Sequence, residues 1–228
     1  MPSFADIIYH IAFISGCIAV FFAPFLLAFY IRNRAKFTKP LSFVQFIEAF
    51  FHSGEANLLI AAWVFAESLF WFVAPEFLLV FILFLPKKRS PKLILYDFLG
   101  ILAGTIVGLL LPLSIEFVSS TPYVYPGMIS AVAEWYQRYG VFSLLFQPTS
   151  GIPYKIFIAE SIAFGIPFLN FLAAAMAIRM ARYAAFFFTF QFIRRFTHKF
   201  ISRHFVIYTI VVLIVFSISL LKVALIYQ

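Results

Sequence analysis

The sequence predicts an all-α integral membrane protein. Two inverted re-entrant helical hairpins are each followed by a transmembrane helix, with further transmembrane helices flanking them at the N- and C-terminal ends. Three observations lead there. The 228 residues are 64% hydrophobic and only 11% charged, with a mean hydropathy of +1.02, whereas soluble domains carry roughly 25% charged residues. A chain this size cannot bury so much apolar surface in itself, so lipid is its solvent. Secondly, most basic residues fall in three clusters between apolar segments: Arg32, Arg34, Lys36 and Lys39; Lys87, Lys88, Arg89 and Lys92; Arg194, Arg195, Lys199 and Arg203. Cytoplasmic loops are marked this way under the positive-inside rule. Thirdly, the apolar stretch after residue 140 is interrupted by Phe146-Gln147-Pro148-Thr149-Ser150-Gly151-Ile152-Pro153-Tyr154-Lys155. Such residues cannot continue a lipid-facing helix, and irregular backbone at membrane depth survives only inside protein or beside a wet cavity.

Taken in order, Ile7 to Tyr30 is a span in which Pro24 is a tolerable kink. The N-terminus lacks the features of a cleaved signal peptide, having Asp6 and no Lys or Arg before the apolar run. Basic residues follow the span, which places the N-terminus outside. Leu41 to Phe51 is too short to cross and reads as an interfacial helix. The next apolar run, Leu58 to Leu85, is about 46 Å long as a straight helix counted from Glu55. Basic clusters lie on both sides of it, so a single crossing violates the positive-inside rule. Entry and return, with a turn near Trp71 to Glu76 and its break at Pro75, satisfies it.

Leu93 to Phe117 crosses outward, and Gly100, Gly104 and Gly108 form a smooth face for close backbone approach. Val118 to Tyr139 is an outer segment with a single basic residue, Arg138. Val141 to Phe164 must then leave on the side it entered, as a second re-entrant hairpin broken at Pro148, Gly151 and Pro153. Phe168 to Ile193 returns to the cytoplasm, and Phe205 to Tyr227 is the final span. The domains are therefore 1–54 (first span, basic loop, interfacial helix), 55–193 (inverted-repeat core) and 194–228 (basic loop, last span). Inverted repeats of this kind build many secondary transporters, with the site where broken helices meet.

Six charged residues lie in apolar surroundings: Glu67, Glu76, Glu160, Lys155, Arg179 and Arg182. Each costs roughly 2.5–3.5 kcal/mol at the bilayer centre on insertion scales. The apolar residues of Leu58 to Leu85 return roughly 5–11 kcal/mol against roughly 5–7 for its two glutamates, which leaves little margin. Mutual pairing that merely pins helices is one explanation. The other is a polar cavity for an anionic headgroup bounded by Lys155, Arg179 and Arg182, with Gln147 and Glu160 beside them. Arg179 and Arg182, three apart, share a helical face, and guanidinium forks suit phosphate oxygens. Glu67 is the expected proton-coupling residue. Glu76, directly after Pro75, is placed either with it or in water at the hairpin tip.

Phe65-Ala66-Glu67-Ser68-Leu69-Phe70 followed by Pro75-Glu76 resembles the first hairpin of the DedA/VTT-domain (SNARE-associated) membrane proteins. Glu134 to Gly140, then Gly151 to Phe157, are similar to the second half of the YqaA-like branch. Arg179-x-x-Arg182-Tyr183 matches its arginine-bearing helix. The resemblance covers roughly residues 56–190. It implies two opposed re-entrant hairpins and, in the bacterial inner membrane, a transporter or flippase of polyprenyl phosphate or phospholipid, using protons. Eukaryotic relatives are scramblases. The chain departs from many members in having Gln147 where the second hairpin carries one arginine and Lys155 where it carries another.

Rival readings are a lipid-modifying enzyme, a passive scramblase and a non-transporting assembly protein. His10, His52, His198 and His204 lack ligand spacing, and Cys17 is the sole cysteine. No metal, cofactor or enzymatic constellation is therefore expected. The expected partners are a membrane lipid with an anionic headgroup and protons. The grouping of the +8 net charge into loops argues against nucleic acid. Association into a homo-oligomer is left open.

Overall fold

A computed structural model describes residues 4–37, 42–83, 92–111 and 113–228. Lys39, Lys87, Lys88 and Arg89 of the basic clusters lie outside the described residues. Within the described residues every regular element is helical. The helices are α1 (Phe4–Asn33), α2 (Phe43–Phe51), α3 (Gly54–Leu69), α4 (Pro75–Leu83), α5 (Lys92–Leu110), α6 (Ile115–Ser119), α7 (Pro126–Tyr139), α8 (Gln147–Ser150), α9 (Tyr154–Ala163), α10 (Phe168–Arg203) and α11 (Phe205–Tyr227). Four segments are long and apolar enough to cross a membrane: Asp6–Asn33, Leu93–Leu110, Phe168–Thr197 and Phe205–Tyr227. The chain is a multi-pass membrane protein.

Local chemistry sets the boundaries. Ser42 and Gln45 close a capping box at the start of α2, and the Ser53 hydroxyl accepts from the Ala56 N–H to start α3. Between α3 and α4 the chain turns back on itself. The Trp71 N–H donates to the Ala66 carbonyl at 2.7 Å, and the Trp63 indole donates to the Val73 carbonyl at 2.9 Å. The break thus satisfies part of its own backbone from α3, as apolar surroundings require. Pro75 opens α4, a position where its missing N–H costs nothing.

Contacts fix the helix directions. At one end Arg32 of α1 meets Glu55 of α3 at 3.2 Å. At the other, His10 Nδ1 lies 2.8 Å from the Tyr123 hydroxyl. α3 and α5 run parallel, since Gly100 faces Ala61 and Val64, Gly104 faces Ser68, and Gly108 faces Leu69. A Cβ on Gly100 would stand 2.5 Å from the Ala61 carbonyl oxygen, so this approach needs glycine. The same face of α5 also receives α9, through Ile158 against Gly108 and Thr105 bonded to the Tyr154 hydroxyl at 3.0 Å. α11 runs antiparallel to α4, with the Tyr208 hydroxyl donating to the Val80 carbonyl and Phe216 against Phe77. Two apolar cores result, one around Trp63, Phe50 and Phe51, the other around Tyr154, Phe157 and Phe171.

Three expectations are corrected. The crossing Leu93 to Phe117 is not one helix: α5 stops at Leu110 and α6 begins at Ile115, because the sequence places a proline, which has no N–H to donate, at position 112. The third basic cluster is not a loop. Arg194, Arg195, Lys199 and Arg203 continue α10, since arginine and lysine are good helix formers and no glycine or proline interrupts residues 168–203. Pro148 is not a break, because it sits in the first turn of α8, where proline is tolerated. The break falls at Gly151 to Pro153.

Candidate functional site

Arg179 stands where the two cores meet. Its guanidinium lies over the Tyr154 ring, 4.0 Å from the centroid, and donates to the Tyr183 hydroxyl at 3.1 Å. Nη2 also donates to Glu67 Oε2 at 2.5 Å, and both side chains are almost fully buried. One turn along α10, Arg182 Nε stands 2.8 Å from Glu76 Oε1. This second pair is close but off-axis: neither Nε nor Oε1 has a hydrogen bond of good geometry. Arg182 Nη1 donates instead to Gln147 Oε1 at 3.2 Å. Each arginine thus holds one carboxylate from either side of the α3–α4 break, and Arg182 also reaches the start of α8.

Lys155 links the two breaks directly. Buried at the start of α9, its Nζ donates to the Phe70 carbonyl at 3.0 Å, where α3 ends. Gly151, between α8 and α9, has φ +73°, and a Cβ there would stand 2.7 Å from Val223 Cγ2. The turn therefore requires glycine both for its left-handed backbone and for its space. Pro153 is the N-cap of α9.

A cavity of about 80 Å³ lies where the breaks face each other, lined by Glu67, Trp71, Tyr125, Gln147, Pro153 and Arg182 among others. Glu67, Gln147 and Arg182 give it one polar wall, the rest of its lining is mostly apolar, and it has room for several waters. It is well under the roughly 300 Å³ at the lower end of small-molecule sites, so this conformation is closed to a headgroup.

The expected residues are therefore brought together in part. Glu67, Glu76, Arg179, Arg182 and Gln147 form one connected cluster. Glu76 is buried and paired, which excludes the placement in water. Lys155 and Arg179 do not line the cavity, contrary to the expected boundary. Their polar ends are taken up by the Phe70 carbonyl and by Glu67 and Tyr183. Glu160, though buried, joins no ion pair among the described residues, since its place on α9 turns it away from α10.

One buried acid is absent from the sequence reading. Asp97 of α5 is almost fully buried, and its Oδ1 has no hydrogen-bond partner among the described residues. It lies within electrostatic reach of Glu76 and Arg179. Its signal in sequence is weak: an acid in the second turn of an apolar helix, five residues after Lys92. No group of three His, Cys, Asp or Glu suited to a metal is found among the described residues. Comparison with protein-family models, curated proteins and solved structures finds no match.

Proposed function

We propose that the protein moves a phosphate-bearing lipid, a polyprenyl phosphate or a phospholipid, between the leaflets of a bacterial inner membrane, coupled to protons. The observation that carries this is the cluster itself. Two carboxylates flanking one helix break face two guanidinium groups on α10, beside a polar cavity that a second break helps to line. At roughly 24 and 15 Å, α3 and α9 are too short to cross about 30 Å of hydrocarbon. That, with the parallel course of α3 and α5, supports a re-entrant reading of both broken segments. The motif residues shared with the DedA/VTT proteins point the same way.

Charge balance supplies the coupling. Four buried acids, Glu67, Glu76, Asp97 and Glu160, already outnumber the bases Lys155, Arg179 and the part-buried Arg182. Buried charge must stay paired, so admitting a singly charged phosphodiester requires a proton on one carboxylate. Protonation of Glu76 is the simplest route, because it releases Arg182, whose fork can then take phosphate oxygens.

Reconstitution into liposomes tests this. Wild-type protein moves a fluorescent phosphatidylglycerol between leaflets, and Arg182→Gln, purified as folded protein, slows it at least tenfold. Normal lipid movement by that variant removes the cluster from the mechanism. An imposed pH gradient distinguishes coupled transport from passive scrambling. The internal pairing of both arginines favours a second reading, a non-transporting assembly protein, for which wild type moves no lipid.

A further inference from the structure

The polar cavity does not stand alone. An apolar groove of about 390 Å³ runs along one face of α1, lined by Ala12, Gly16, Cys17 and Val20 with their neighbours and closed by Trp71. These α1 positions recur every four residues, so the groove follows the helix axis. Trp71 also lines the polar cavity, so one residue borders both spaces. Its Nε1 is buried and has no hydrogen-bond partner among the described residues, a cost of about 1–3 kcal/mol if left unmet.

A cluster of rings borders both spaces as well. Phe13, Phe72 and Tyr123 form a triangle of rings, with centroids 5.9, 4.9 and 6.4 Å apart. A third space, of about 160 Å³, shares Phe13 with the groove and Tyr123 with the cavity. Tyr123 holds a left-handed backbone at φ +60°, which is unusual for a bulky residue.

We infer that the α1 groove and the polar cavity form one amphiphile site, in which a hydrocarbon chain lies along Ala12 to Val20 and the Trp71 N–H donates to the lipid's phosphate or ester oxygen. This rests on the lipid reading above and adds to it the binding place of the chain and the route of entry. The lipid enters sideways between α1 and the α3–α4 break, and the Phe13–Phe72–Tyr123 cluster parts to let the head reach Arg182. At about 390 Å³ the groove falls within the range of small-molecule sites. An unmet donor on a residue that borders the groove is what a headgroup-bearing lipid satisfies and bulk hydrocarbon does not.

The test uses full-length protein in nanodiscs with a phosphatidylglycerol probe carrying a diazirine near the end of one acyl chain. Crosslinked peptides are quantified by mass spectrometry. Labelling within residues 12–21 saturates at low probe fraction and is competed by unlabelled phosphatidylglycerol but not by diacylglycerol. Gly16→Leu, whose added side chain starts in open space, reduces it at least tenfold. Trp71→Phe, which keeps a ring and removes the donor, abolishes the preference for the phosphate-bearing competitor. Labelling that rises linearly with probe, equals that of the lipid-facing Val211 and Val215 on α11, and ignores Gly16→Leu is boundary lipid only and overturns the inference. Because crosslinking needs no transport, saturable labelling without lipid movement upholds the site while sinking the transport reading. Unimpaired movement by Gly16→Leu sinks the site alone.

Discussion

Removing either member of the Glu67–Arg179 pair strands a buried charge, but the two strandings are not equivalent. Breaking a buried pair on one side costs about 3–5 kcal/mol. A stranded carboxylate has an escape, since it can take a proton. For a carboxylic acid of ordinary strength that costs roughly 4 kcal/mol at pH 7 and roughly 1 kcal/mol at pH 5. A stranded guanidinium has none, because it stays protonated throughout. The structure makes the contrast clean, as both side chains are buried and the pair is in direct contact. Arg179→Met should therefore be the milder variant and should recover with acid. A carboxyl that is protonated only in the folded state makes stability fall as pH rises. Glu67→Leu should be at least as damaging as Arg179→Met at pH 7 and indifferent to pH between 5 and 7. At about 2–4 °C per kcal/mol for this length, the acid recovery of roughly 3 kcal/mol corresponds to about 6–12 °C. The double variant, with no charge left to strand, should return to within a few degrees of wild type. The assay is thermal loss of the monodisperse peak in detergent at pH 5 and pH 7. Equal melting of the two single variants at both pH values would refute a charged buried pair.

Three further outcomes can be checked on the same preparation. Gly104→Ala places a methyl 2.7 Å from Ser68 Cβ and should destabilise by about 1–3 kcal/mol, whereas Gly16→Ala meets open space and should raise stability by up to about 1 kcal/mol. Gly151→Ala should cost at least about 1–2 kcal/mol through its positive φ; adding Val223→Ala should restore the packing share and leave the backbone share, as the difference in melting will read. Lys155→Met removes the donor held by the Phe70 carbonyl, and amide hydrogen exchange across residues 70–74 should accelerate without a comparable change in α5.

The charged cluster was legible because acids and bases stand out against an apolar background, and Pro75 and Gly151 mark breaks wherever they fall in such a run. Asp97 was hidden by its neighbourhood in sequence: five residues after Lys92, it reads as interfacial. What buries it is the close approach of α3 to the glycine face of α5, a tertiary fact. The length of α10 was misread by giving charge priority over local propensity, although nothing between Pro167 and His204 stops a helix. The size of the cavity could not be read at all, since it depends on which polar ends are taken by Phe70, Gln147 and Tyr183 rather than on which are present.

At 36 residues α10 is about 54 Å long, some 24 Å more than the hydrocarbon it crosses. One unbroken rod carries Arg179 and Arg182 in its first half and Arg194, Arg195, Lys199 and Arg203 in its last three turns. Any axial slide or rotation of that rod moves both guanidinium groups together, so neither ion pair can be loosened by rod motion alone without disturbing the other. The charge of the lipid surface pulling on the far end is then a load applied to the buried end.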